Sequence, residues 1–146
     1  MNVITTFEGE YEFLSNFYES PVTFEGLTYG SSEAAFQACK SLDSAVRERF
    51  TRLSPDQSKR EGYKVNLRAD WEDVKVSVMD EILRAKFSQN PGLMEKLSAT
   101  GQAILVEGND WQDTFWGFDF NLGYGDNTLG RLLMRIRAEH QSRLKK

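Results

Sequence analysis

Cysteine and histidine are almost missing from this chain: Cys39 and His140 are the single representatives of each in 146 residues. One thiol cannot close an internal disulfide framework and suits a reducing compartment, so a cytoplasmic protein is expected. His140 falls in a polar C-terminal stretch without cysteines or carboxylates at ligand spacing, which leaves no metal constellation and no Ser-His-Asp arrangement. Cys39 has no histidine partner and reads as a core residue rather than a nucleophile. No run of eighteen apolar residues occurs, so no membrane span and no membrane partner are expected. The opening Met1-Asn2-Val3-Ile4-Thr5-Thr6-Phe7-Glu8 lacks the basic and apolar regions of a signal peptide. Repeats, low-complexity tracts and obvious linkers are also missing.

What is present fits a folded globular chain: 40% apolar, 12% aromatic and 27% charged residues. The length suits one domain over 1–146. A formal net charge of −4 excludes a uniformly basic surface for nucleic acid. The charge is uneven, however, since Arg131, Arg135, Arg137, Arg143, Lys145 and Lys146 face Glu139 alone near the end. That cluster reads as a solvated helix end or as a receiver of phosphate.

Val22-Thr23-Phe24 and Leu27-Thr28-Tyr29 flank Glu25-Gly26, the pattern of a hairpin with a two-residue turn. Ser31 or Ser32 can cap the helix that follows. A polar helix is expected from about Ser44 to Arg52, and Ser54-Pro55-Asp56 opens another that ends by Gly62. Asp70 is positioned to cap the clearest helix, whose Trp71, Val74, Val78, Ile82 and Leu83 form an apolar stripe running to Gln89. Asn90-Pro91 starts a short helix that stops at Gly101. Ala103–Glu107 and Thr114–Phe118 read as strands, and Leu129, Leu132, Leu133 and Ile136 as the inner face of a last helix. The expected class is α+β, mainly helical with a few short strands.

The chemistry concentrates between Tyr29 and Lys40. On a helix, Glu33, Gln37 and Lys40 share one face while Phe36 and Cys39 lie on an apolar one. A surface ion-pair pattern has the same spacing; so does a carboxylate acid/base beside an amine nucleophile. Arg68 precedes a helix and can fork onto a carboxylate or phosphate. Tyr18, Trp111 and Trp116 can stack a flat base. Gly123, Gly125 and Asn127, ahead of the last helix, form either an anion-binding loop or a plain connection.

Phe13-Leu14-Ser15-Asn16-Phe17-Tyr18 resembles the opening motif of the NADAR superfamily, and Tyr29–Lys40 its second motif. Arg68-Ala69-Asp70-Trp71-Glu72 with Lys75 and Met79, then Ala85-Lys86-Phe87, resemble the family's middle. Thr100-Gly101, Leu105-Val106-Glu107, Trp116-Gly117, Gly125-Asp126-Asn127-Thr128-Leu129-Gly130 and Leu133-Met134-Arg135-Ile136-Arg137 complete the order. Ala34 departs from the pattern, because many relatives carry a larger polar residue there, often histidine; the departure bears on substrate selection.

The resemblance implies a NADAR-like fold. It also implies hydrolysis of the C–N bond between ribose 5-phosphate and an amino-substituted pyrimidine, as in early riboflavin intermediates. The partner would be a phosphorylated ribosylamino small molecule, with no cofactor and no metal. Two alternatives accompany it: removal of ADP-ribose from guanine in nucleic acid, and a non-catalytic ADP-ribose-binding module. Glu33 would handle the proton and stabilise charge at the sugar carbon. Lys40 would form a Schiff base or, in direct hydrolysis, bind phosphate or ribose; Lys75 and Lys86 are its rivals. Asn16 and Arg68, with Asp70 beside it, would hold sugar or phosphate oxygens. Gln37 would join the substrate contacts, Tyr18 or Trp116 would pack the base, and Asp126 and Asn127 would form a rim.

Overall fold

The structure, a computed structural model, describes residues 2–145. In chain order the first elements are β1 (Val3–Ile4), β2 (Glu19–Phe24), β3 (Leu27–Ser31), α1 (Ser32–Ala38), α2 (Ser44–Phe50) and α3 (Pro55–Gly62). They are followed by α4 (Trp71–Gln89), α5 (Pro91–Ala99), β4 (Ile104–Leu105), β5 (Gly108–Asn109), β6 (Phe118–Asp119) and α6 (Thr128–Leu144). A 3₁₀ helix covers Gly9–Leu14. The class is mixed α+β, mainly helical with short strands. No helix among the described residues is long and apolar enough to cross a membrane.

The chain forms two compact units. The middle one, Asn16–Pro91, holds the β2–β3 hairpin and α1 to α4. Glu25 and Gly26 both take positive φ, 48° and 88°, as a tight two-residue hairpin turn requires. The hairpin delivers the chain into α1, where the Ser31 side chain accepts a hydrogen bond from the Ala34 N–H. Every residue of α1 is buried, because α2, α3, α4 and the hairpin all pack on it. A seven-residue helix has little stability alone, so this burial is what holds α1 in place. Phe36 meets Trp71 at 5.1 Å between ring centres, joining α1 to the first turn of α4. Val78, Met79, Ile82, Leu83 and Phe87 continue that buried stripe. Ser54 and Gln57 form the reciprocal cap of α3, in keeping with the Ser-Pro start.

Asp70 stands at the start of α4 but makes no side-chain cap bond. The Arg68 guanidinium takes its carboxylate instead, and a charge-assisted fork outcompetes one backbone N–H.

The other unit is built from the two ends of the chain, up to Ser15 and from Gly92 onward. Here β1 pairs with β4 and β5 with β6, both in parallel. Leu129, Leu132, Leu133 and Ile136 are buried on α6, as their spacing implies. The strands are shorter than the sequence suggests. Of Ala103–Glu107 only Ile104–Leu105 pairs, and Phe115–Gly117 forms no strand. The carbonyls of Phe115, Trp116 and Gly117 instead accept from the N–H groups of Thr128, Leu129 and Asn127, closing the first turn of α6.

Candidate functional site

The middle unit gathers Asn16, Tyr18, Glu33, Gln37, Lys40, Arg68 and Asp70. Asn16 fixes the start of α1. Its carbonyl accepts from the Glu33 N–H at 3.0 Å, and its side-chain oxygen accepts from the Ser32 hydroxyl at 2.8 Å. Its amide nitrogen points to the Met79 sulfur at 3.5 Å.

Glu33 and Gln37 share a face of α1 as their spacing implies, but the helix ends at Ala38 and leaves Lys40 in the turn beyond it, and that face is not a solvated one. Glu33 and Gln37 are each only 7% exposed, and Lys40 is half-buried. The Gln37 amide donates to Glu33 Oε1 at 3.1 Å. Its own carbonyl oxygen is buried and accepts nothing, a state that costs about 1–3 kcal/mol. The orphan oxygen lies against Gly62 of α3. Burial pushes the Lys40 ammonium below the ordinary lysine value, and the Glu33 carboxylate pulls partly the other way.

Helix α3 supplies residues that sequence spacing did not single out. Lys59 stands 5.8 Å from the Phe17 ring centre, and Tyr63, at the C-terminal end of α3, stands 5.7 Å from the Lys40 amine. The i, i+4 spacing of Lys59 and Tyr63 marks a shared face of α3, but nothing local reveals their neighbours Phe17 and Lys40.

Arg68 is held from two sides. Its N–H donates to the Lys40 carbonyl at 2.8 Å, and its guanidinium forks onto Asp70 at 2.7 and 3.1 Å. That fork holds the Asp70 carboxyl below its usual range. Tyr18 lies 5.8 Å from the amine of Lys86, which is fully buried on α4, while Lys75 pairs with Glu72 at 2.6 Å. Cys39 is buried, and its thiol is pushed up to about 11, mainly by desolvation; it is a core residue. A separate cavity of about 240 Å³ between α2 and α3 is lined by Arg49, Phe50, Leu53, Gln57, Arg60 and Glu61, without Glu33 or Lys40.

Trp116, Asp126 and Asn127 belong to the unit formed by the chain ends. The half-buried Trp116 packs edge-on to Phe115 at 4.9 Å. Asn127 accepts from the Glu107 N–H and donates to the Leu105 carbonyl, both at 2.9 Å, which ties β4 to the start of α6. Asp126 is exposed. The Gly123, Asp126 and Asn127 N–H groups bond within the loop and its neighbours. Gly123 and Asn127, two of the three donors that an anion-binding loop would use, are thereby engaged.

The NADAR domain model matches residues 5–141. The chain belongs to the NADAR family. It is 43% identical over 133 residues to the N-glycosidase YbiA of Escherichia coli, a match covering 89% of this chain and 82% of that protein. The NMR structure of Escherichia coli YbiA superposes with a TM-score of 0.87 at 38% identity, covering 99% of this chain and 88% of the other. A riboflavin biosynthesis protein of Vibrio vulnificus is 41% identical over 133 residues, covering 88% of this chain but 35% of that longer protein. This NADAR likeness supports a hydrolase of the family's general glycosidase kind.

Proposed function

We propose that this chain is an N-glycosidase that hydrolyses the C–N bond between ribose 5-phosphate and an amino-substituted pyrimidine. The observation that carries the reading is the buried Glu33–Gln37 pair on α1 with the half-buried Lys40 just past the helix end, its amine shifted toward the neutral form by burial and influenced by the Glu33 charge. The names of two relatives, an N-glycosidase and a riboflavin biosynthesis protein, point the same way.

Breaking this bond leaves the sugar carbon short of electrons, while the departing nitrogen takes the bonding pair and needs a proton. Glu33 passes that proton, and its carboxylate then faces the developing positive charge. The neutral amine of Lys40 adds to C1 of the opened sugar, and the aminopyrimidine leaves with the proton. Water then adds to the resulting Schiff base, releases ribose 5-phosphate and returns the free amine. The balance is one water consumed per bond broken. In the direct route water itself adds to C1, Glu33 orients it, and Lys40 binds the sugar phosphate. Asn16 and Arg68 would hold sugar or phosphate oxygens in either case, with Asp70 fixing the Arg68 guanidinium and open to a sugar hydroxyl. Tyr18 would pack the base.

A second reading, removal of ADP-ribose from guanine in nucleic acid, rests on the exposed Arg131, Arg135 and Arg143 of α6. Arg137 does not join them, being buried and bonded to Thr100 at 2.9 Å. Incubation with a ribosylaminopyrimidine phosphate and with an ADP-ribosylated oligonucleotide separates the two. Ribose 5-phosphate release from the first substrate is expected. Release from the oligonucleotide alone favours the second reading, and binding of either without cleavage favours a non-catalytic module.

A further inference from the structure

Gly62 ends α3 with ordinary helical backbone, in a conformation that alanine adopts more readily than glycine. The backbone thus gives no reason for a glycine here; the neighbouring side chain does. A Cβ at Gly62 would overlap Gln37 Oε1 and come within 2.6 Å of Gln37 Cδ. The Gln37 carboxamide therefore occupies the space that any side chain at position 62 would need. Seated there, its carbonyl goes without a hydrogen bond and its NH2 reaches Glu33. Leucine or methionine at position 37 would fill the same space without burying an orphan oxygen. What the amide adds over them is a donor aimed at one oxygen of Glu33.

We propose that Gly62 is a positioning residue: its bare Cα forms the seat that locks the Gln37 amide onto Glu33 and so fixes the direction of the carboxylate. The proposal rests on the role given to Glu33 above. Gln37 is then the intermediary, and Gly62 acts on Glu33 only through it. Gly62→Ala displaces the far end of a flexible side chain, so the helix survives while the Gln37–Glu33 bond is lost.

The test is a double-mutant cycle of Gly62→Ala and Gln37→Ala in the full chain, read in two ways. In turnover, each single variant is expected to lower kcat between about ten- and a hundredfold with KM little changed, as a misplaced reacting group does. The double variant should match Gln37→Ala alone, since the methyl group added at position 62 then has no amide to displace. Should Gly62→Ala fail to fold, the double variant still folds, because truncation at position 37 vacates the space. Additive losses, or a rise in KM alone, overturn the proposal. The second readout needs no substrate: the ¹³C carboxyl resonance of Glu33 should move in both single variants and move no further in the double. A Glu33 resonance unmoved by Gly62→Ala overturns it whether or not the proposed hydrolysis is found. Absence of sugar phosphate release by wild type counts against that activity and leaves this readout standing.

Discussion

The Lys40 amine stands 5.7 Å from the centre of the Tyr63 ring, a ring that is itself 79% exposed. A cation over an aromatic face is favoured in its charged form, whereas burial favours the neutral amine. Tyr63→Leu keeps apolar cover over Lys40 and removes the ring, leaving burial less opposed. The alkaline rise in the rate of sugar phosphate release should then begin at lower pH, while Tyr63→Phe keeps the wild-type profile. A profile unmoved by Tyr63→Leu would show that the ring does not tune the amine.

Lys40 gives up its proton more readily in the folded chain than in the unfolded one. Between the two pKa values the unfolded state binds more protons, so stability rises with pH through that window and is lowest where Lys40 is charged. Replacement by the uncharged, similarly long methionine should raise Tm at neutral pH, by a few degrees at most. The gain should shrink as pH approaches about 10. Thermal denaturation at several pH values checks this, and a gain that grows with pH would contradict it.

Asp119 shows the opposite sign. Its carboxylate accepts from the Leu122, Gln112 and Asn121 N–H groups, each at 2.8 Å, and these bonds hold it below its ordinary value of 3.8. The stabilisation is complete above the unfolded value and is lost as pH falls through the folded one. Asp119→Asn should melt below wild type at neutral pH, with the gap closing in acid. Parallel melting curves across that range would remove the carboxylate from the account.

The candidate pair was legible in the sequence because its geometry is local: Glu33 stands in the first turn of α1, announced by the Ser31 cap, and Lys40 in the turn just past the helix end, seven positions on. The hairpin and α4 were legible for the same reason, through Glu25-Gly26 and a sustained apolar period. What decides the character of the site is not local. Gly62 and Tyr63 read along the chain only as a helix end, and their meaning comes from packing against residues more than twenty positions earlier. Phe115–Gly117 failed as a strand because its carbonyls close the first turn of α6, a demand that β-propensity does not register.

Borohydride reduction during turnover, followed by peptide mapping, tests the central pairing most directly. The account predicts a reduced ribose 5-phosphate adduct on the peptide carrying Lys40, lost in Lys40→Ala and strongly diminished in Glu33→Gln. An adduct on Lys75 or Lys86, or continued turnover in Lys40→Ala with no adduct anywhere, would contradict it.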